Sequence, residues 1–383
     1  MKALLFTVHR TLNYGSVLQT YACSRIFSRM GWEMTVADFT RPTDYNMNAI
    51  RSLMHYICFR DRLKEPRGFS AKLKGLAASC VTYPLTKRFW QNCESFLREH
   101  VNLSAPIENM AELTELAKEY DLLCSGSDQI WNTEYNKGTD QVYLLGFSPA
   151  ETKRIALSSS IGMDSLSETD QALFREYLPS FHAISVREEQ AVTLLQEIGI
   201  QATHLLDPTL WITGDEWRTE AAQPPESEPY VLLYKLKADN RIDQIAQSVA
   251  QKLGIRVVRV CFSSRMGVKN ASEQDVLLPA LPEFLSLIAN ARFVVTNSFH
   301  GTCFSLNFNR DFISVPREHY NSRIQSVLNT TSLQERFVYS VDELDNTKLQ
   351  PINYECVNAI LNERRQQAFE WLKSALNNTT AKE

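Results

Sequence analysis

Short apolar runs of strand length alternate with segments of helical periodicity along the chain, and no other feature restricts its fold as much. The run "KALLFTV" precedes "VLQTYACSRIFSRM", whose apolar residues recur on one helical face, and "WEMTVADF" follows Gly31. The pattern returns as helical "MAELTELAKEY", then as "DLLCSGSDQIWN" and "KRIALSSSIG", two strands that run into polar loops. Further on, "ETDQALFREYLPSF" reads as helix, "HAISVREEQAVTLLQEIG" as strand then helix, and "ATHLLDPTLW" as strand then loop. Such alternation builds parallel sheets, whose ligands gather in loops at the carboxyl ends of the strands.

The chain has 383 residues, more than the roughly 250–300 at which a single core stops growing, so two domains are expected. Proline-rich, polar "AAQPPESEP" reads as a linker, and a second alternating series opens beyond it with "YVLLYKLK", "IDQIAQSVAQKLG", "IRVVRVCF", "LPEFLSLIANA", "RFVVTNS" and "DFISVP". The expectation is an α/β protein of two Rossmann-like, doubly wound domains facing a cleft. Residues 1–222 form the first domain, 223–229 the linker and 230–350 the second domain, with a C-terminal helix inside 351–383. A basic insertion at about 50–95 stands apart from the scheme. Between Arg60 and Arg88, eight Lys or Arg meet two acids, interleaved with Phe69, Leu73, Leu76 and Tyr83. It reads either as a solvated helical face or as a patch that docks on anionic lipid.

The net charge of -4 gives no general field that would draw in nucleic acid. Eight cysteines without paired spacing indicate neither a zinc site nor a disulfide framework and suit reduced thiols in a cytoplasm. No apolar stretch approaches a membrane span, and His9 and Arg10 end the first apolar run short of a signal peptide, so a cytoplasmic protein is expected. The histidines show no metal-ligand spacing, so no metal is expected.

Candidate chemistry sits in the loops. "NYGSVLQT" places Asn13, Tyr14, Gly15 and Ser16 between a strand and a helix, where free amides can hold an anion or a hydroxyl, or where Asn13 and Ser16 merely turn and cap the chain. "GSDQIWN" puts Ser127, Asp128, Gln129 and Trp131 just past a strand; a tryptophan beside polar groups suits a sugar face or a packed turn. Arg187 of "SVREEQ" can grip a carboxylate or phosphate with two parallel hydrogen bonds, or pair with a neighbouring acid. Asp207 of "DPTLW" offers a ligand contact or a turn residue before Pro208, and the turn role is favoured. His300, directly after "RFVVTNSF", lies at a strand-to-helix junction whose dipole favours neutral imidazole.

Taken in order, "NYGSVLQT", "GSDQIWN", "SSSIG", "SVREEQ", "DPTLW" and "TNSFHGTCFSLNFNRDFISV" resemble the polysaccharide pyruvyl transferase family from about Asn13 to Arg323. The resemblance implies two Rossmann-like domains arranged as in GT-B glycosyltransferases. It implies phosphoenolpyruvate as co-substrate, no cofactor, and a glycan or lipid-linked oligosaccharide as acceptor, two of whose hydroxyls close a pyruvate ketal with release of phosphate. By motif, His300 is then the general acid and Arg187 a donor ligand, with Ser298 and Gly301 beside the donor. A basic residue after the "FISVP" strand is expected as well, either Arg317 or Arg323. Asn13, Tyr14, Gly15, Ser16, Ser127, Asp128, Gln129 and Trp131 fall on the acceptor side. Better-known members carry an arginine two residues before the histidine, where this chain has Ser298, and Lys235 is the candidate to replace that cation. A glycosyltransferase using a nucleotide sugar and a non-catalytic glycan-binding relative are the alternatives, and peripheral contact with the inner face of the membrane follows only from the basic insertion.

Overall fold

The computed structural model describes residues 1–11, 13–39, 69–136, 138–149, 151–224, 228–236, 239–261 and 275–377; for 69–83 and 85 it describes the backbone only. Seven strands form the first sheet: β1 (Lys2–Phe6), β2 (Glu33–Phe39), β3 (Asn102–Ile107), β4 (Leu122–Ser125), β5 (Lys153–Ser159), β6 (Ala183–Val186) and β7 (Thr203–His204). Five form the second: β8 (Tyr230–Tyr234), β9 (Arg256–Cys261), β10 (Asp275–Leu277), β11 (Phe293–Thr296) and β12 (Asp311–Ser314). Their orders are β3-β2-β1-β4-β5-β6-β7 and β10-β9-β8-β11-β12. Every pairing is parallel. Strands such as "YVLLY" and "FVVT" are buried along their whole length, as a sheet covered by helices on both faces requires.

In each sheet the chain winds outward in both directions from the middle, and the order reverses between β1 and β4 in the first and between β8 and β11 in the second. At such points the loops after neighbouring strands diverge and leave a crevice at the carboxyl ends. Residues 7–11, 13 and 126–132 border the first crevice; 235–236, 239 and 297–298 border the second.

One apolar cluster runs from the first sheet into the second without a break. Tyr14 stacks on Phe284 with centroids 4.1 Å apart and donates its hydroxyl to the Pro279 carbonyl at 2.8 Å. Tyr21, tilted on Trp217, and Trp217, edge to face with Phe304, continue the contact. The C-terminal helix, Tyr354–Asn377, lies over the junction: Phe369 packs on Trp211, and Arg365 Nε donates to the Leu210 carbonyl at 2.7 Å. Within 221–229, Ala222 already donates its amide to Pro282, so this stretch begins tied to the second half. Residues 40–68 and the side chains of 69–83, with most of the basic insertion, lie outside the described residues. From there a helix, Phe69–His100, runs with Pro84 inside it and packs Phe89, Phe96 and Leu97 into the first core. Among the described residues no helix is long and apolar enough to cross a membrane.

Candidate active site

The two crevices meet. Asn13 caps the helix Tyr14–Arg29, its carbonyl oxygen accepting from the Gly15 amide at 3.0 Å, and Ser298 caps the helix Phe299–Asn307 by accepting from Gly301. These two amino ends abut so closely that a Cβ on Gly15 would lie 1.9 Å from His300 Nδ1 and 2.2 Å from its Cγ. Only a residue without a side chain leaves room for the ring. We therefore expect Gly15→Ala to cost about 1–3 kcal/mol through overpacking. In a His300→Ala background the same change should cost nothing, because the obstructing ring is gone, and urea midpoints of the three variants check it.

His300 is buried, and its Nε2 lies 3.8 Å from Asp207 Oδ2 without a hydrogen-bond partner among the described residues. Burial, with Arg187 nearby, pushes its pKa down to about 4 against the pull of Asp207. At neutral pH the resting imidazole is uncharged.

Behind it sits a polar network drawn from the first sheet. Arg187, at the carboxyl end of β6, donates to Asp207 at 2.7 Å, to Asp128 at 3.3 Å and to Ser127 at 3.3 Å. Ser127 Oγ also donates to Asp207 at 3.0 Å, and Ser16 Oγ to Asp128 at 2.5 Å. Asp128 adopts the left-handed region, φ 76°, which an aspartate tolerates better than most residues. Burial opposes ionisation of Asp128, but Arg187 outweighs it and holds the carboxyl well below its usual range. Asp207 is lowered in the same way, facing His300 and Arg187, and its Oδ1 accepts from the Thr209 amide and hydroxyl. Arg187 and Arg323 both lie against the Phe299 ring, at 4.8 and 5.6 Å from its centroid. Burial lowers the Arg323 pKa to about 10, with the like charge of Arg187 adding to the effect. Among the described residues Arg323 makes no ion pair, and its Nε, the Nε of Arg187 and Oε2 of Glu188 are buried without hydrogen-bond partners. Glu188 Oε1 is held by Ser160 and by the amides of Ile161 and Gly162.

The sequence-predicted residues thus divide. Gly15, Ser16, Ser127, Asp128, Arg187, Arg323 and His300 come together. Ser298 and Gly301 shape the helix start beneath His300; Asn13 does the same opposite. Gln129 packs its amide on Gly162. Three expectations need correction. Tyr14 cannot face an acceptor, because it is fully buried as the bolt between the two sheets. Trp131 offers no sugar face, since its ring is 1% exposed and its Nε1 donates to the Tyr143 carbonyl. Lys235 does not replace the missing arginine, because its ammonium is clamped by both oxygens of Asp243 at 2.5 and 2.6 Å. Arg187 is likewise enclosed, its side chain 0% exposed among acids of its own chain. Asp207, read from the sequence chiefly as a turn residue, does cap a turn but also lies between Arg187 and His300; sequence reasoning missed Phe299, whose ring carries both guanidiniums. The glutamates after Arg187 and the basic residue after β12 were the available signals.

Beside this cluster, at the carboxyl edge of the second sheet, opens a cleft of about 520 Å³ whose walls include Asp239, Arg241, Asn297, Arg317, Tyr320 and Tyr339. His300, three residues beyond Asn297, is not one of its walls.

Comparison with known proteins agrees with this frame. The sequence model described as polysaccharide pyruvyl transferase matches residues 13–319. None of the curated proteins matches the sequence. Among solved structures, Anabaena HepE in complex with UDP and glucose superposes with a TM-score of 0.52, at 10% identity, covering 99% of this chain and 100% of that one. The UDP-GlcNAc 2-epimerase of Neisseria meningitidis bound to UDP-GlcNAc gives 0.51, also at 10% identity and with coverage of 99% and 100%. At such identities the likeness concerns the fold, which is the GT-B-like pair of Rossmann-like layers.

Proposed function

The chain belongs to the polysaccharide pyruvyl transferase family, and from that premise we propose that it moves the enolpyruvyl group of phosphoenolpyruvate onto two hydroxyls of a sugar residue. In this reading an acceptor hydroxyl oxygen attacks C2 of the donor while C3 takes a proton from His300. The C2–O bond to phosphate then breaks, and the second hydroxyl closes the ketal. One hydroxyl proton ends on the new methyl group by way of His300, the other on phosphate.

The observation that carries the proposal is the buried His300 beside an unpaired guanidinium. Arg323 supplies the cation that Ser298 does not, since it is buried against Phe299 with no acid bound to it among the described residues. Arg187 takes a different part from the one expected, holding Asp128 and Asp207 ionised behind the imidazole. The charges that act on His300 are balanced: Arg187 and Arg323 against Asp128 and Asp207. A polyanionic donor entering that balance creates the negative field that protonates His300, so the acid forms only when its substrate is present. Raising the pKa from about 4 to 7 requires about 4 kcal/mol, at about 1.4 kcal/mol per pH unit. A unit charge about 4 Å away supplies about that much at an effective dielectric constant of 20.

The test is phosphate release from phosphoenolpyruvate by the purified protein across a panel of neutral and lipid-linked glycans. Release that depends on an acceptor is expected. No release with any acceptor, together with no donor binding by calorimetry, would refute it, and stabilisation by a nucleotide sugar alone would favour glycosyl transfer instead.

A further inference from the structure

We infer that the cleft at the edge of the second sheet is the seat of a neutral acceptor glycan, not of the donor; the inference rests on the transfer reading for its role and on the cleft's chemistry for its ligand. Its volume of about 520 Å³ lies in the range of pockets for ligands much larger than a three-carbon phosphate, roughly 300–1,000 Å³. Aromatic rings stand out on it. Of the described residues, the large hydrophobic side chains left exposed are Met1, Tyr135 and Tyr339; one of them lines the cleft and a second touches one of its walls. Tyr339, 50% exposed, is a wall of the cleft. Tyr135 comes from the first half and meets the ring of Tyr320, another wall, at 5.8 Å. The Tyr320 hydroxyl donates to the Glu134 carboxylate, so both halves of the molecule frame one rim.

Exposed aromatic faces are costly to leave in water and suit the C–H faces of a sugar ring. The remaining walls present flat polar groups of both signs. Arg241 pairs with Asp239 at 2.8 Å, and Arg317, which has no ion-pair partner among the described residues, stands next to Glu318. Planar amides, carboxylates and guanidiniums with no net charge match the vicinal hydroxyls of a neutral glycan. A polyanion finds its complement instead around Phe299, where buried guanidinium nitrogens lack partners. The two places adjoin, since Asn297, a wall of the cleft, is followed directly by Ser298 and by the helix that carries Phe299 and His300. A hydroxyl pair held on the tyrosines therefore sits beside the donor's reacting carbon. Arg317, expected from sequence in the donor site, becomes an acceptor ligand.

Saturation-transfer NMR on the full chain tests this, with neutral β-linked galactosyl, mannosyl and N-acetylhexosaminyl disaccharides as probes and UDP and phosphoenolpyruvate as competitors. The wild type should show disaccharide signals that neither competitor displaces. In Tyr339→Ala the disaccharide affinity should fall about tenfold, the size of one lost aromatic contact, while phosphoenolpyruvate affinity by calorimetry stays unchanged; Arg317→Gln should weaken the disaccharide as well. The inference is overturned if no neutral disaccharide binds, if the variants bind it as the wild type does, if UDP displaces it, or if Tyr339→Ala weakens phosphoenolpyruvate. A protein that loses disaccharide binding in Tyr339→Ala yet never binds phosphoenolpyruvate would keep the glycan site and lose the transfer reaction, so the two failures are distinguishable.

Discussion

His300→Gln lowers kcat for acceptor-dependent phosphate release by about 10²- to 10⁴-fold, the usual worth of a general acid, while donor binding persists through Arg323. Glutamine offers an amide N–H in place of the ring N–H and keeps most of the volume but carries no titratable proton, so the loss belongs to the chemical step. The same variant separates catalysis from stability by its pH dependence. The folded pKa of about 4 lies below the ordinary value of about 6.5. The unfolded chain therefore takes up a proton first as pH falls, and His300 contributes stability above pH 6.5 that is lost progressively down to pH 4. In urea unfolding, His300→Gln should flatten the slope of stability against pH in that window. Unaltered turnover would remove His300 from the reaction, and an unaltered slope would mean that folding does not shift the pKa of the imidazole.

Arg187→Ala is the second large effect, and it falls on folding. With the guanidinium gone, Asp128 and Asp207 remain buried, each held by hydroxyls or amides but without a cation. Removing one partner of a buried ion pair typically costs about 3–5 kcal/mol, out of a total stability of roughly 5–15 kcal/mol. A steep fall in the urea midpoint or insoluble protein is expected. Adding Asp207→Ala to Arg187→Ala should recover part of the loss, since one of the stranded charges goes with it. A midpoint equal to that of the wild type in Arg187→Ala would show that the carboxyls are protonated and that the network is not ionic.

The layers of this molecule were legible because parallel strands buried on both faces read as continuous apolar runs: "YVLLY" and "FVVT" could hardly be anything else. The parts of the site were legible one by one as loops at strand ends, Gly15 after β1, Asp128 after β4, Arg187 after β6 and His300 after β11. Their assembly was not. Nothing local to Gly15 says that an imidazole 285 positions away lies on it, because that contact follows from the facing of two crevices. The aromatic residues misled for a related reason. Tyr14 and Trp131 sit in polar loops as a sugar-binding ring would, and only the packing of Phe284 and the carbonyl of Tyr143 decides that they are interior. Arg187 was ambiguous in chemistry, since a guanidinium that can clamp a ligand can equally clamp the chain's own acids. The tyrosines of the cleft carried no motif at all; they become visible as a group only when Tyr135 and Tyr320 meet across the two halves.

The central claim is that the donor itself turns a neutral buried imidazole into an acid, and long-range ¹⁵N–¹H NMR of the histidine side chains reads that charge directly. At pH 7 the His300 ring, assigned by its absence in His300→Gln, should show one protonated and one bare nitrogen in the free protein. On saturation with phosphoenolpyruvate both nitrogens should shift to imidazolium values. A ring that stays neutral with donor bound, or one that is already charged without it, would contradict the account.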